Sequence, residues 1–340
     1  MRVRAAARAV LVLLLVTGAG NACTTRDAAA PQRLVIAAGP ADSVYRLLGD
    51  ALGAAARRAW SAEVEVVGHY GSVDNLRLVA EGEADVGFAT VDTAELAVQG
   101  NTPFDRAVPI RALARLYDEY LQAVALSGSG IEELADLAGR QVSIGEPRSG
   151  TDVAANRVLQ AAEVEPGQRV GNLSAETAAQ ALVQREEVDA IFVAGGLPTP
   201  VVAAVVAAPP AAPPRLLPMA DLVPELQRRF GESYQARSIP PGTYPGVDAT
   251  VETVGIVNVL VVRQDLPEDL ARRVTELLFS AKAQLVAAHP EARRLDHRSA
   301  VATFPIELHP GATRYYQAAK PLAAAGAGRP GRDPPHLASR

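Results

Sequence analysis

A single cysteine, Cys23, leaves no partner for an intrachain disulfide, so no covalent staple holds this fold even in an oxidising compartment. The five histidines show no metal-ligand spacing, and no second cysteine could join them in a site. There is no G-x-S-x-G elbow and no Walker loop, and Ser127-Gly-Ser-Gly reads as a small-residue turn. The expectation is a binding protein without turnover that needs neither metal nor cofactor. Basic residues do not outnumber acidic ones (33 against 38), which argues against a nucleic-acid partner. No internal repeat of solenoid period is found. The apolar run at residues 9–16 is too short to span a bilayer.

What is present points outward from the cytoplasm. Arg2, Arg4 and Arg8 precede that apolar run, and small residues follow, which is the form of a secretory signal over residues 1–22. Its removal takes those three arginines and no acid, leaving 30 basic against 38 acidic residues, a net −8. Two readings of the cleavage site stay open. Gly20 and Ala22 suit an ordinary signal peptidase, whereas Cys23 stands where a lipoprotein acylates its new N-terminus, although position 20 is Gly where a lipobox has Leu or Val. The chain is thus expected in the periplasm or on the outer face of the membrane, with Cys23 as lipid anchor.

At 340 residues and 49% hydrophobic content, the chain has material for two cores, and two α/β lobes are the natural division. The stretch 68–92 organises the rest. Gly71 gives a turn, Ser72 reads as N-cap, and Val73, Leu76, Val79 and Ala80 share one helical face that Gly82 ends. Residues 84–89 form a buried strand, after which Asp92 and Glu95 make a capping box for another helix. Further capped starts follow strand-like runs at Ser43, Ser149 and Thr199, the last with Pro200 at N1. Such N-termini hold small anions and polar ligands in α/β folds, and recurrence in both halves points to one shared site.

Other strands are expected at 34–37, 63–67, 111–116, 121–126, 141–144, 188–193 and 255–262, with Tyr117-Asp118-Glu119-Tyr120 between the third and fourth of these. Helices are expected after Ser43, up to Ala162, after Ser174 or Thr177, at 221–230 and as one long helix at 267–288. The Pro/Ala-rich stretch 207–214 reads as an exposed loop, and 323–340 as a disordered tail.

The stretch "GSVDNLRLVAEGEADVGF" resembles the signature of the TAXI family, the extracytoplasmic solute receptors of one class of TRAP transporters. Ordered matches continue through "RALARLYDEYLQ", "VSIGEPRSGT", "VDAIFVAGGLPTP", "IPPGTYPG" and "PIELHPGATRYY". Tyr70 replaces a glycine of the signature and Asp74 a glutamate. The usually glycine-rich loop after the first strand reads Ala38, Pro40, Ala41, Asp42, Ser43, where Asp42 would repel a carboxylate.

The resemblance implies a periplasmic-binding-protein fold of the second type, α/β, with two lobes, a hinge and a ligand cleft. Residues 23–32 would be a tether, 33–120 and 245–322 lobe one, and 121–244 lobe two. The solute would be a small carboxylate such as glutamate or 2-oxoglutarate, handed to a TRAP-type membrane subunit; a lipoprotein of the same fold that reports to a membrane signalling protein is the alternative. Ser72, Asn75, Ser149 and Thr151 would supply side-chain hydrogen bonds. Gly39, Gly71, Gly150 and Gly195 would bring backbone close to the ligand, and Thr90 and Thr199 stand at helix starts. Asp92 is either an N-cap or an acceptor for a ligand ammonium or hydroxyl, and Arg148 either an exposed cation or the partner of an acidic ligand group. Tyr45 and Tyr244 are expected on the cleft wall, while Tyr70 and Tyr117 read equally as half-buried packing.

Overall fold

The computed structural model describes residues 31–319 apart from 42, 69 and 209–212. The leader, Cys23, most of the tether, Asp42, His69 and the tail lie outside the described residues. Ten strands among those described make one sheet: β1 (Arg33–Ala37), β2 (Glu63–Val67), β3 (Val86–Thr90), β4 (Ile110–Leu126), β5 (Gln141–Ser143), β6 (Gln168–Val170), β7 (Ala190–Gly195), β8 (Pro214–Leu217), β9 (Tyr234–Ile239) and β10 (Val251–Arg263). Helices cover both faces: α1 (Val44–Trp60), α2 (Ser72–Glu81), α3 (Val91–Gln99), α4 (Gly150–Ala161), α5 (Ala175–Gln184), α6 (Pro200–Ala207), α7 (Val223–Phe230), α8 (Glu268–Ser280), α9 (Lys282–Ala288) and α10 (Pro310–Ala319).

The main path runs β2-β1-β3-β10-β4-β7-β5-β6, with β8 added to β4 and β9 to β10. β1 pairs in parallel with β2 and β3, and β5 with β6 and β7, so each half holds a small parallel sheet joined by helices. Two long antiparallel strands, β4 and β10, run through both halves. The first part of β4 meets β10 and its last part, Tyr120 to Ala125, meets β7. β10 meets β9 at its start and β3 at its end. Side chains follow from this. Leu34, Ile36, Leu52, Phe88 and Leu260 fill one core between α1, α8 and the sheet, while Val124, Ile191, Val202 and Tyr244 centre another in the second half.

Several expectations change. Arg111 to Leu126 is a single strand, because Tyr117, Glu119 and their neighbours are buried and stay in the ladder rather than turning out to solvent. The long helix 267–288 breaks at Ala281 into α8 and α9. Pro214 opens β8 instead of closing a loop, an edge place where proline's missing N–H costs nothing. β6 and β9 carry no sequence-read counterpart. Ser72 is not the N-cap of α2; Gly71 is, with φ +119, and Ser72 turns inward. Asp92 is not the N-cap of α3 either. Thr90 holds that place, and Asp92 sits in the first turn. The caps at Ser43, Ser149 and Ser174 do form, each hydroxyl accepting the backbone N–H three residues on.

Candidate functional site

The two halves meet around a cleft of about 850 Å³, measured out to its open mouth. From the first half come Tyr45 of α1 and the α2 start, Gly71 and Ser72; from the second come the α4 start, Ser149 to Thr151, then Gly195 and Thr199. Eight sequence-chosen residues therefore share one cavity. α2 has no side-chain cap, since glycine stands at its N-cap; its start lines the cavity, and the Arg148 carbonyl takes one of its first N–H groups.

The facing helix starts are nearly in contact. A Cβ built on Gly150 would stand 2.8 Å from Ser72 Oγ and 3.2 Å from Thr90 Oγ1, and one on Gly71 would stand 3.7 Å from Ser149 Cα. Arg148 fastens the same seam. Its carbonyl accepts from Asp74 N (3.3 Å), its guanidinium lies 3.4 Å from the Asp74 carboxylate, and it stacks 4.2 Å over the Tyr70 ring. Arg148 itself has φ +73, a left-handed conformation held by these contacts.

The remaining chosen residues stand behind the wall. Asn75 is fully buried and donates to the Phe88 carbonyl (2.8 Å), bracing α2 on β3. Thr90 N donates to Ser72 Oγ (3.1 Å), and the Thr90 hydroxyl donates to Thr93 Oγ1 (2.9 Å). Asp92, also fully buried, accepts from Thr93 N and from the Tyr234 hydroxyl (both 2.7 Å), with Arg157 Nη1 3.8 Å away. Tyr244 lies behind Thr199 rather than on the wall. Its hydroxyl accepts from Thr199 N and donates to Gln122 Oε1 (both 2.8 Å). Gly39 makes the tight turn into α1, where a Cβ would meet Ser43 Oγ at 2.4 Å. The Thr151 hydroxyl accepts from Ala194 N (3.2 Å), tying α4 to β7.

Sequence reading passed over Glu119. It lines the cleft from the middle of β4, beside Tyr45 and Asn258. Tyr45 donates to Asn258 Oδ1 and sits 3.3 Å from Ser72 Oγ, so a polar cluster from α1, α2, β4 and β10 floors the cavity. Burial, reinforced by the charge of Asp92, pushes the Glu119 carboxyl from the ordinary 4.5 up to about 8, against the pull of the polar groups of Tyr45 and Asn258 beside it. The available signal was a carboxylate inside a run otherwise fit for a buried strand. Because the folded pKa is raised, this group's contribution to stability is whole below pH 4.5 and is lost as pH rises towards 8. Glu119→Gln is therefore expected to melt above wild type at pH 8 and level with it at pH 4.5. A difference independent of pH in thermal unfolding would contradict this.

A model of the NMT1-like family matches residues 36–319. The chain belongs to the NMT1-like family. Among solved structures, MatC from Rhodopseudomonas palustris with bound malate matches at 15% identity and TM-score 0.52, over 84% of this chain and 96% of that one. A Bordetella bronchiseptica RB50 protein matches at 16% and 0.51, over 84% and 89%. The periplasmic aliphatic sulphonate binding protein SsuA from Escherichia coli follows at 14% and 0.48, over 85% and 83%. With the family match and the likeness to MatC, the NMT1-like chain has an α/β fold of the periplasmic-binding-protein type.

Proposed function

We propose that this NMT1-like chain is the extracytoplasmic solute receptor of a TRAP-type secondary transporter of the TAXI class. It captures a small carboxylate by cleft closure and delivers it to the membrane subunit. One observation carries the reading: two helix N-termini from separate halves, those of α2 and α4, meet across one cavity. Their partial positive charge and N–H donors suit a carboxylate, and each neutral hydrogen bond adds about 0.5–1.5 kcal/mol, so several act together. Closure follows when the solute binds the closed state better than the open one. The TAXI motifs support the transporter class and its ligands, glutamate and 2-oxoglutarate among them. The basic-then-apolar leader supports export, and Cys23 an anchor on the outer face.

The test is calorimetry and thermal shift on the purified mature chain, with amino acids, 2-oxo acids and dicarboxylates beside neutral sugars and amides. A solute at a hundred times its Kd should stabilise by about 2.7 kcal/mol, a shift of several degrees or less for a chain of this size. A response from neutral solutes alone would overturn the carboxylate assignment. For the partner, proteoliposomes carrying a TRAP-type membrane subunit and an ion gradient should take up the solute only when this chain is added; uptake indifferent to it would sink the receptor role.

A further inference from the structure

The carboxyl side chains that line the cleft are those of Glu119, Glu146 and Glu176, and among the described residues no Lys, Arg or His lines it. Arg148 stands at the seam instead, engaged with Asp74 and Tyr70. A dicarboxylate would leave its second charge facing these acids without a cation to receive it. A ligand with one carboxylate and one ammonium meets the opposite situation, with N–H donors at the α2 and α4 starts and a carboxyl on the floor.

We propose that Glu119 is the ammonium-binding residue of this cleft, so that its solute is an α-amino monocarboxylate, and that Glu146 and Glu176 at the other wall exclude a second carboxylate. The inference rests on the carboxylate-receptor reading and narrows it. Two further observations support the assignment. Glu119 is buried with no cation beside it: the groups that face it are Tyr45 from α1, Asp92 from α3, Tyr117 of its own strand and the neutral Asn258 of β10, while Arg157 is taken up by Asp92 and Tyr234. Its carboxyl and that of Glu146 are both held above the ordinary range, the first by burial and Asp92, the second by burial and Glu176. A carboxyl in that condition gains most from an incoming positive charge, which returns it to its ionised form. Glu119, mostly protonated at pH 7, then loses its proton as the ammonium docks, and that proton leaves to solvent.

The experiment compares matched solutes by calorimetry at pH 7: L-leucine with 4-methyl-2-oxopentanoate, L-glutamate with 2-oxoglutarate, and L-glutamine with L-glutamate. The amino acid should bind at least tenfold more tightly than its 2-oxo partner, and glutamine more tightly than glutamate. Titrations in buffers of different ionisation enthalpy should report release of most of a proton per solute. Glu119→Gln should bring the amino-to-oxo ratio near one and abolish the release. Glu146→Gln should narrow the glutamine-to-glutamate gap, a reading that stands even if the first variant folds poorly. Equal or tighter binding of the 2-oxo acids, proton uptake, or an unchanged ratio in a folded Glu119→Gln would overturn the assignment of Glu119 and leave the receptor reading intact. Silence from every carboxylate would overturn both.

Discussion

Gly150→Val is expected to weaken solute binding by roughly ten- to a hundredfold while leaving the melting temperature of the free chain near wild type. Gly150 has an ordinary helical place and no left-handed backbone, so valine strains nothing locally. What it meets is the other half: a Cβ there falls 2.8 Å from Ser72 Oγ and 3.2 Å from Thr90 Oγ1. Overfilling a close contact costs about 1–3 kcal/mol, and 1.4 kcal/mol is tenfold in affinity. The contact lies where the halves touch, so under the proposed closure the clash falls on the closed, solute-holding state and is relieved when the halves part. Calorimetry against any solute that binds wild type reads the outcome. An unchanged Kd would mean that solute is held without the α2–α4 approach.

The largest loss of stability should come from Arg157→Met. Asp92 has no exposed surface, and Arg157 lies beside it while donating to the Tyr234 hydroxyl (2.7 Å). Deleting one partner of a buried ion pair costs about 3–5 kcal/mol, since the survivor is left charged and uncompensated. The 3.8 Å separation favours the lower end, and the matching fall in melting temperature for a chain of this size is roughly 4–7 °C. The double variant Asp92→Asn, Arg157→Met removes both charges and should recover most of it. Equal melting of the single variant and wild type would show that the Tyr234 and Thr93 hydrogen bonds satisfy Asp92 alone.

Much of this was legible because it depends on short-range chemistry. Ser43, Ser149 and Ser174 cap helices through their own next turn, and the αL glycine at Gly82 stops α2, so local sequence suffices for each. Ser72 and Asp92 were misplaced by a similar logic. Both have capping side chains at plausible positions, but Ser72 spends its oxygen on Thr90 N and Asp92 spends one of its own on the Tyr234 hydroxyl, 142 residues away. Glu119 was hidden for the same reason. Its role depends on Tyr45, Asn258 and Asp92, which only the tertiary fold gathers. Asn258 falls at a register shift of β10, where the irregular ladder sets it against β3 beside the cavity.

The strands that join the two halves have a mechanical consequence. β4 and β10 are not loose linkers but neighbouring members of one ladder, hydrogen-bonded from Ile110 with Arg263 to Tyr120 with Gly255. A paired ribbon of this kind resists stretching and sliding, because either would break many bonds at once, whereas it yields to twist. Its ladder is interrupted by register shifts at Val257/Val259, which bracket Asn258, and at Leu260/Val261. The ladder therefore holds the halves against stretching and sliding and leaves rotation and bending as the easier motions. On the proposed receptor reading, release of the solute is expected to turn the halves about that ribbon rather than draw them along it.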